Sequence, residues 1–169
     1  MKRCMLIICC IGLSMHLFAQ QNKDAMDPFY KRVTLVVADI DRSLEIYQDI
    51  LGFTINSRKA SDDDSYSYPV FNIPTEAQIS FATLDSPDQN RTIGLTEVKG
   101  VELPQHNGIH MTASVIKVSD LDDVMAKIKA LGLSFTEPEM DGNDHFTFKE
   151  QAFVDFDGHL IVIYEIQNK

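Results

Sequence analysis

The side chains that could do chemistry in this chain are imidazoles and carboxylates, because its thiols are confined to one end. The 3 cysteines, Cys4, Cys9 and Cys10, all stand within the first ten residues. A chain cleaved after that stretch has no cysteine nucleophile, no thiolate metal site and no disulfide. No G-x-S-x-G, glycine-rich phosphate loop or H-E-x-x-H helix occurs, so serine-hydrolase, P-loop and zincin chemistry lack their residues. Asp62-Asp63-Asp64 lacks the alternating ligands and closing glutamate of a calcium loop and reads as a solvated turn. Among the histidines, His16 lies in the N-terminal stretch, His106 and His145 fall in loops without a partner at ligand spacing, and His159 follows Asp157-Gly158 in a turn. His110 and Glu97 remain as an imidazole and a carboxylate near the ends of strand-like runs.

Positioning falls to two stretches built alike. Val33–Phe53 reads VTLVVADIDRSLEIYQDILGF, and Ala113–Phe135 reads ASVIKVSDLDDVMAKIKALGLSF. In the first, Val33, Leu35 and Val37 alternate with Thr34, Val36 and Ala38, the period of a strand at least partly covered on both faces. Asp39 and Asp41 stand where a helix begins, with carboxylates suited to its free amides and its dipole. Leu44, Tyr47, Ile50 and Leu51 recur at three- and four-residue steps and give the helix one apolar face. Gly52 closes it as a left-handed cap. The second stretch repeats the plan with Ser114, Ile116 and Val118, then Asp120 and Asp122, then Val124, Met125, Ile128 and Leu131, then Gly132. Val37 corresponds to Val118, an offset of 118 − 37 = 81, and one residue is lost inside the second helix. Short strand-like runs follow each copy: Thr54–Ala60, Ile79–Leu84 and Arg91–Val98 in the first, Phe153–Phe156 and Leu160–Glu165 in the second. Two copies imply a duplicated module and not a solenoid. Ser61–Ile79, with Tyr66, Tyr68 and Phe71 among serines, prolines and asparagine, is expected to be a loop or irregular strand leaning over the sheet as an adaptable lid.

A strand ending V-x-D-I/L-D, followed by RSLxxYxxxLGF, resembles the vicinal oxygen chelate superfamily, which includes glyoxalase I, extradiol dioxygenases, and fosfomycin- and bleomycin-resistance proteins. Phe153–Glu165, FVDFDGHLIVIYE, resembles that family's closing D-P-D-G-N-x-I-E-L-x-E segment. The resemblance covers nearly all the chain after residue 30. It implies an α+β fold of two βαβββ modules whose mixed sheet forms a cup around a small-molecule site. It leaves function open, because the fold hosts isomerases, oxygenases, transferases and plain binders.

In metal-using relatives His, Glu or Gln, His and Glu project into the cup from the first and last strands of each module. Such donors hold iron, manganese, zinc or nickel, with positions free for two substrate oxygens. The motif places the first-strand positions at Arg32 and Ala113, each five residues before the matched valine. The last-strand positions fall at Val162 and Gly94. None of these four side chains ligates a divalent metal. The resemblance thus implies a cofactor-free binder of a small organic molecule, like the bleomycin-resistance branch, which works by sequestration. Arg32 would put a permanent bidentate cation where relatives put a metal, suited to a carboxylate, phosphate or polarised carbonyl. Thr34 and Thr96 would add hydroxyls, and Tyr68 or Tyr164 an aromatic wall. An ion pair between Arg32 and an acid at the strand's edge is the alternative for that residue. The competing function is a metal-dependent glyoxalase-like lyase or dioxygenase with relocated ligands, for which His110 and Glu97 are the candidates. Simple alternation turns His110 away from the ligand face, and a bulge would be needed to reverse it. A metal-free isomerase using Arg32 as electrophile would need a general base that the sequence does not single out.

Met1–Ala19 carries Lys2 and Arg3, an apolar run, and a small residue before QQNKD, the layout of a cleaved signal peptide. The expected order is a signal peptide at 1–19, a linker at 20–29 and a single domain at 30–169, with modules at 30–100 and 108–169. The chain has 15 basic and 25 acidic residues, net −10; without Lys2 and Arg3 the balance is 13 − 25 = −12. An acidic, exported domain, periplasmic or secreted, is a poor partner for nucleic acid or for an anionic membrane. The cup can close within one chain or across a symmetric homodimer.

Overall fold

The computed structural model describes residues 29–169, so the expected signal peptide and nearly all of the linker lie outside the described residues. Lys31–Lys169 forms one compact unit. The first module runs β1 (Val33–Val37), α1 (Ile40–Leu44) continued by a π-helical segment (Glu45–Ile50), β2 (Thr54–Ala60), α2 (Ser67–Phe71), β3 (Gln78–Asp85) and β4 (Ile93–Lys99). The second runs β5 (Ala113–Lys117), α3 (Leu121–Ala130), β6 (Glu139–Gly142), β7 (Phe146–Val154) and β8 (Leu160–Asn168). Each builds a four-stranded mixed sheet, ordered β1-β4-β3-β2 and β5-β8-β7-β6. The first strand is parallel to the last, and the other pairs are antiparallel. This is the duplicated βαβββ plan expected from the sequence, with α2 as an addition in the first copy.

The residue lost from the second helix has a structural counterpart in the first. The offset between copies is 81 at Val37 and Val118 but 132 − 52 = 80 at the closing glycines. The first helix absorbs its extra residue by widening: the Leu51 amide donates to the Ile46 carbonyl, five residues back, at 2.9 Å. Both helices end at glycines of positive φ, +79° at Gly52 and +72° at Gly132, a backbone a β-carbon disfavours.

Both helices also begin alike. Asp39 Oδ1 accepts from the amides of Asp41 and Arg42, and Asp120 Oδ1 from that of Asp123. A glutamate from each module's last strand then takes the first helical amide: Ile40 N–H donates to Glu97 Oε1, and Leu121 N–H to Glu165 Oε2, each at 3.0 Å. Helix starts leave such amides without backbone partners, and a carboxylate there also favours the dipole. The Leu121 amide, and then the Gln167 side chain, hold the Glu165 carboxyl below its usual range.

The helix-facing sides of both sheets share one core. Val37, Leu84 and Leu95 of the first module and Leu121, Ile161 and Ile163 of the second belong to a single buried cluster. Burial of such side chains contributes about 1.5–3 kcal/mol each, so this core outweighs any one polar contact between the modules. Polar contacts fix how the modules meet. Tyr47, in the π-helical segment, is fully buried, and its hydroxyl donates to Asp155 Oδ2 at 2.8 Å. Asp157 Oδ1 accepts from the Ala38 amide at 3.0 Å and from Arg42 Nη2 at 2.8 Å. His159 Nε2 donates to the Val36 carbonyl at 3.0 Å, on the edge of β1 away from β4. Burial, then the Asp155 charge, pushes the Tyr47 phenol well above its ordinary value, so it remains a donor across the physiological range. Replacing Tyr47 with Phe removes a hydrogen bond to a buried carboxylate and is expected to cost about 1–3 kcal/mol in urea unfolding. A loss below about 0.5 kcal/mol would show that the core alone positions the modules.

Candidate functional site

In each sheet the face opposite its helix is the face the cup would use. On β1 and β4 the registered pairs Thr34–Gly94 and Val36–Thr96 occupy it. A β-carbon built on Gly94 would lie 3.1 Å from Thr34 Oγ1 and 3.6 Å from Arg32 Cδ, so Arg32, Thr34 and Gly94 meet on one patch. Arg32 is exposed and makes no ion pair or side-chain hydrogen bond among the described residues. Thr96 lies two residues further along β4 on the same face and is only 1% exposed. Its hydroxyl has no hydrogen-bond partner among the described residues.

The equivalent positions in the second module follow from the helix-capping glutamates. Glu97 and Glu165 do the same work 68 residues apart (165 − 97), and the same step carries Gly94 to Val162. The offset of 81 carries Arg32 to Ala113. These are the four positions that the sequence motif marks, and they carry a guanidinium, a hydrogen, a methyl and an isopropyl group.

Tyr68 covers the same face of the first sheet from outside, further along β4 at Val98. It sits in α2, 4% exposed, packed with Ile73, Ala77, Ile79 and Val98, and its hydroxyl donates to the Ala77 carbonyl at 2.9 Å. The segment expected to lean over the sheet therefore does so through a short helix. Tyr164 stands on the corresponding face of the second sheet, its ring 5.5 Å from that of Phe148, and no hydrogen bond links it to Arg32, Thr34 or Thr96. Among the described residues that second face has no cover like α2: Val115 on it is 63% exposed.

His110 and Glu97, the candidates for the competing metal-dependent function, are not brought together. Glu97 is buried on the helix side of β4, held by the Ile40 amide and by Lys99 Nζ at 3.1 Å. β5 begins only at Ala113, so His110 lies in the inter-module connection and not on a strand, and no bulge turns it toward the cup. Its ring stacks on that of His106 with centroids 3.6 Å apart. Among the described residues no group of three or more His, Cys, Asp or Glu side chains could hold a metal ion.

The fold has known counterparts. The model of the Glyoxalase/Bleomycin resistance protein/Dioxygenase superfamily matches residues 30–163. The chain belongs to this superfamily. No curated protein matches it. Its solved structural neighbours include a glyoxalase family protein from Bacillus cereus, with TM-score 0.68, 15% identity, and coverage of 84% of this chain and 97% of that one. The trypanothione-dependent glyoxalase I of Leishmania major gives 0.55, 19%, 82% and 87%. The fosfomycin resistance protein FosX of Listeria monocytogenes gives 0.54, 18%, 83% and 93%. FosX has also been crystallised with Mn(II) and sulfate. The side chains at 32, 94, 113 and 162 of this chain are not of the types that ligate a divalent metal.

Sequence reasoning missed the inter-module contacts. His159, read as a surface turn residue, is half-buried against β1, and Asp155 and Asp157 were given no role. A spacing cue existed in D-F-D-G-H, but one sequence holds nothing that pairs it with Tyr47.

The histidine stack has its own signature. Desolvation first, then the His106 and His159 charges, lower the His110 pKa below its ordinary value. His110 is therefore expected to stay neutral to lower pH than a free imidazole, and His106→Ala to raise its NMR titration midpoint. An unchanged midpoint would mean that the rings do not sense each other.

Proposed function

We propose that this superfamily member is an exported protein, periplasmic or secreted, that binds a small organic anion without a metal. The observation that carries the reading is the identity of the four side chains at the cup positions, above all a guanidinium at Arg32, without an ion-pair partner among the described residues, beside the opening left by Gly94. Arginine presents planar donors to a carboxylate, sulfonate or phosphate and keeps its charge at any physiological pH. The Thr34 and Thr96 hydroxyls stand on the same face to complete the contact, and neighbouring apolar side chains take the body of the ligand. The row Arg32, Thr34, Gly94 and Thr96 holds no carboxylate or imidazole to move a proton, which favours binding over catalysis. A symmetric homodimer would cover the exposed apolar side chains of the second sheet, Val115 among them.

Two measurements test this. Protein purified without a metal-binding tag is expected to carry no stoichiometric metal, and its melting temperature to ignore added iron, manganese, zinc or nickel. Bound metal, or a shift of several degrees, would return the enzyme reading with moved ligands. The second uses 8-anilinonaphthalene-1-sulfonate as an organic-anion probe. Arg32→Ala is expected to weaken its binding about tenfold or more, the scale of a hydrogen bond to a charged group. Equal affinity would remove Arg32 from the site.

A further inference from the structure

The two copies of the module treat their cup faces differently. The second leaves its face open, whereas the first folds its own residues 61–77 over part of it. The cover has a single aromatic anchor. Tyr68 lies with Ile79 and Val98 of the sheet and Ile73 and Ala77 of its own segment, bordered by Val36 and Phe81. The backbone helps through the Ile73 amide, which donates to the Tyr68 carbonyl at 2.8 Å, and through Asn72 in the left-handed region at φ 53°. The outer side of the segment is apolar too, with Val70 and Tyr66 exposed.

The face that the cover partly overlies holds a defect. Thr96 stands between Val36 and Phe81 on this face, buried, and no described group hydrogen-bonds its hydroxyl. A buried polar group without a partner opposes the state that buries it. Along β4 the order on this face is Gly94 beside Arg32, then Thr96, then Val98 beneath the tyrosine cluster. At about 3.3 Å per residue the row spans roughly 13 Å. It offers a cation, then an unused hydroxyl, then a seat already fitted to a six-membered aromatic ring.

We propose that Tyr68 is a placeholder: the ligand is an aromatic organic anion whose ring displaces Tyr68, whose acid group pairs with Arg32, and whose chain meets the Thr96 hydroxyl. The inference rests on the proposed anion site and adds both a ligand class and a gate to it. The segment 61–77 opens by itself at a cost well below global unfolding, and the ligand captures the open form.

Native-state hydrogen exchange tests the gate without any ligand. The Ile73 amide is expected to exchange at least a hundredfold faster than the amides of Leu84 and Leu95, and Tyr68→Ala to accelerate it further while leaving those two unchanged. Thr96→Val keeps the shape and removes the orphaned hydroxyl, so it is expected to slow exchange at Ile73 at least about fivefold. Ile73 exchanging together with Leu84 and Leu95, or responding to neither substitution, would overturn the gate. The naphthalenesulfonate probe then tests the displacement: Tyr68→Ala is expected to tighten its binding and Thr96→Val to weaken it. Exchange that responds while probe affinity does not would reject the placeholder and keep the gate. Probe binding indifferent to Arg32→Ala, with exchange behaving as stated, would instead reject the underlying anion site.

Discussion

Everything in this structure depends on how the two helices and the helix-facing sides of both sheets are buried against one another. That shared core fixes which way each sheet turns, and so leaves the opposite faces free. The core is apolar and does not by itself dictate an angle. The Tyr47 hydroxyl on Asp155, the Asp157 carboxylate on Ala38 and Arg42, and the His159 ring on Val36 supply direction where apolar packing supplies energy. The π-helical widening belongs to the same arrangement, since Tyr47 sits inside it. One inserted residue changes the phase of every side chain after it, so the position of that hydroxyl and the length difference between the copies are linked.

Duplication gives two copies of one scaffold, and the copies have diverged on one face more than on the other. On the helix side the correspondences hold in detail: aspartate caps at 39 and 120, strand glutamates at 97 and 165, closing glycines at 52 and 132. These satisfy backbone amides and turn geometry, which any helix in that place must do. On the other face Arg32 answers to Ala113, Gly94 to Val162, and a helical cover to open sheet. Features that hold the fold together have been kept in both copies, and features that would hold a ligand stand in one.

This division also explains what could be read from residues alone. Strand alternation, aspartate caps and glycine stops are local, and they gave the βαβββ plan and the equivalence of the copies. Positions 32, 94, 113 and 162 could be matched between the copies because they lie at fixed steps from those local marks. The contacts of Tyr47, Asp155 and His159 were not, since they join residues more than a hundred positions apart. His110 failed for a different reason: strand alternation was extended past the point where the strand begins, and a side chain in the connection obeys no such period. Glu97 was legible as a carboxylate near a strand end, but its parity with Leu95 already set it on the helix side, away from Gly94 and Thr96.

If Arg32 stands where relatives hold a metal, as proposed, the cover has a physical role. A metal ion held by several ligands is fixed in place and binds oxygen donors through coordination, with little need for an apolar surround. A lone guanidinium on an exposed strand end is mobile and hydrated, and alone it holds an anion weakly. Specific binding at such a site needs a second contribution, from apolar surface and from exclusion of water. On the proposed reading the tyrosine-bearing segment supplies both elements on the module that carries the arginine, and among the described residues the module with alanine at the same position has no such cover. A cation beside an aromatic seat would let the proposed site discriminate among anions, which neither half would do by itself.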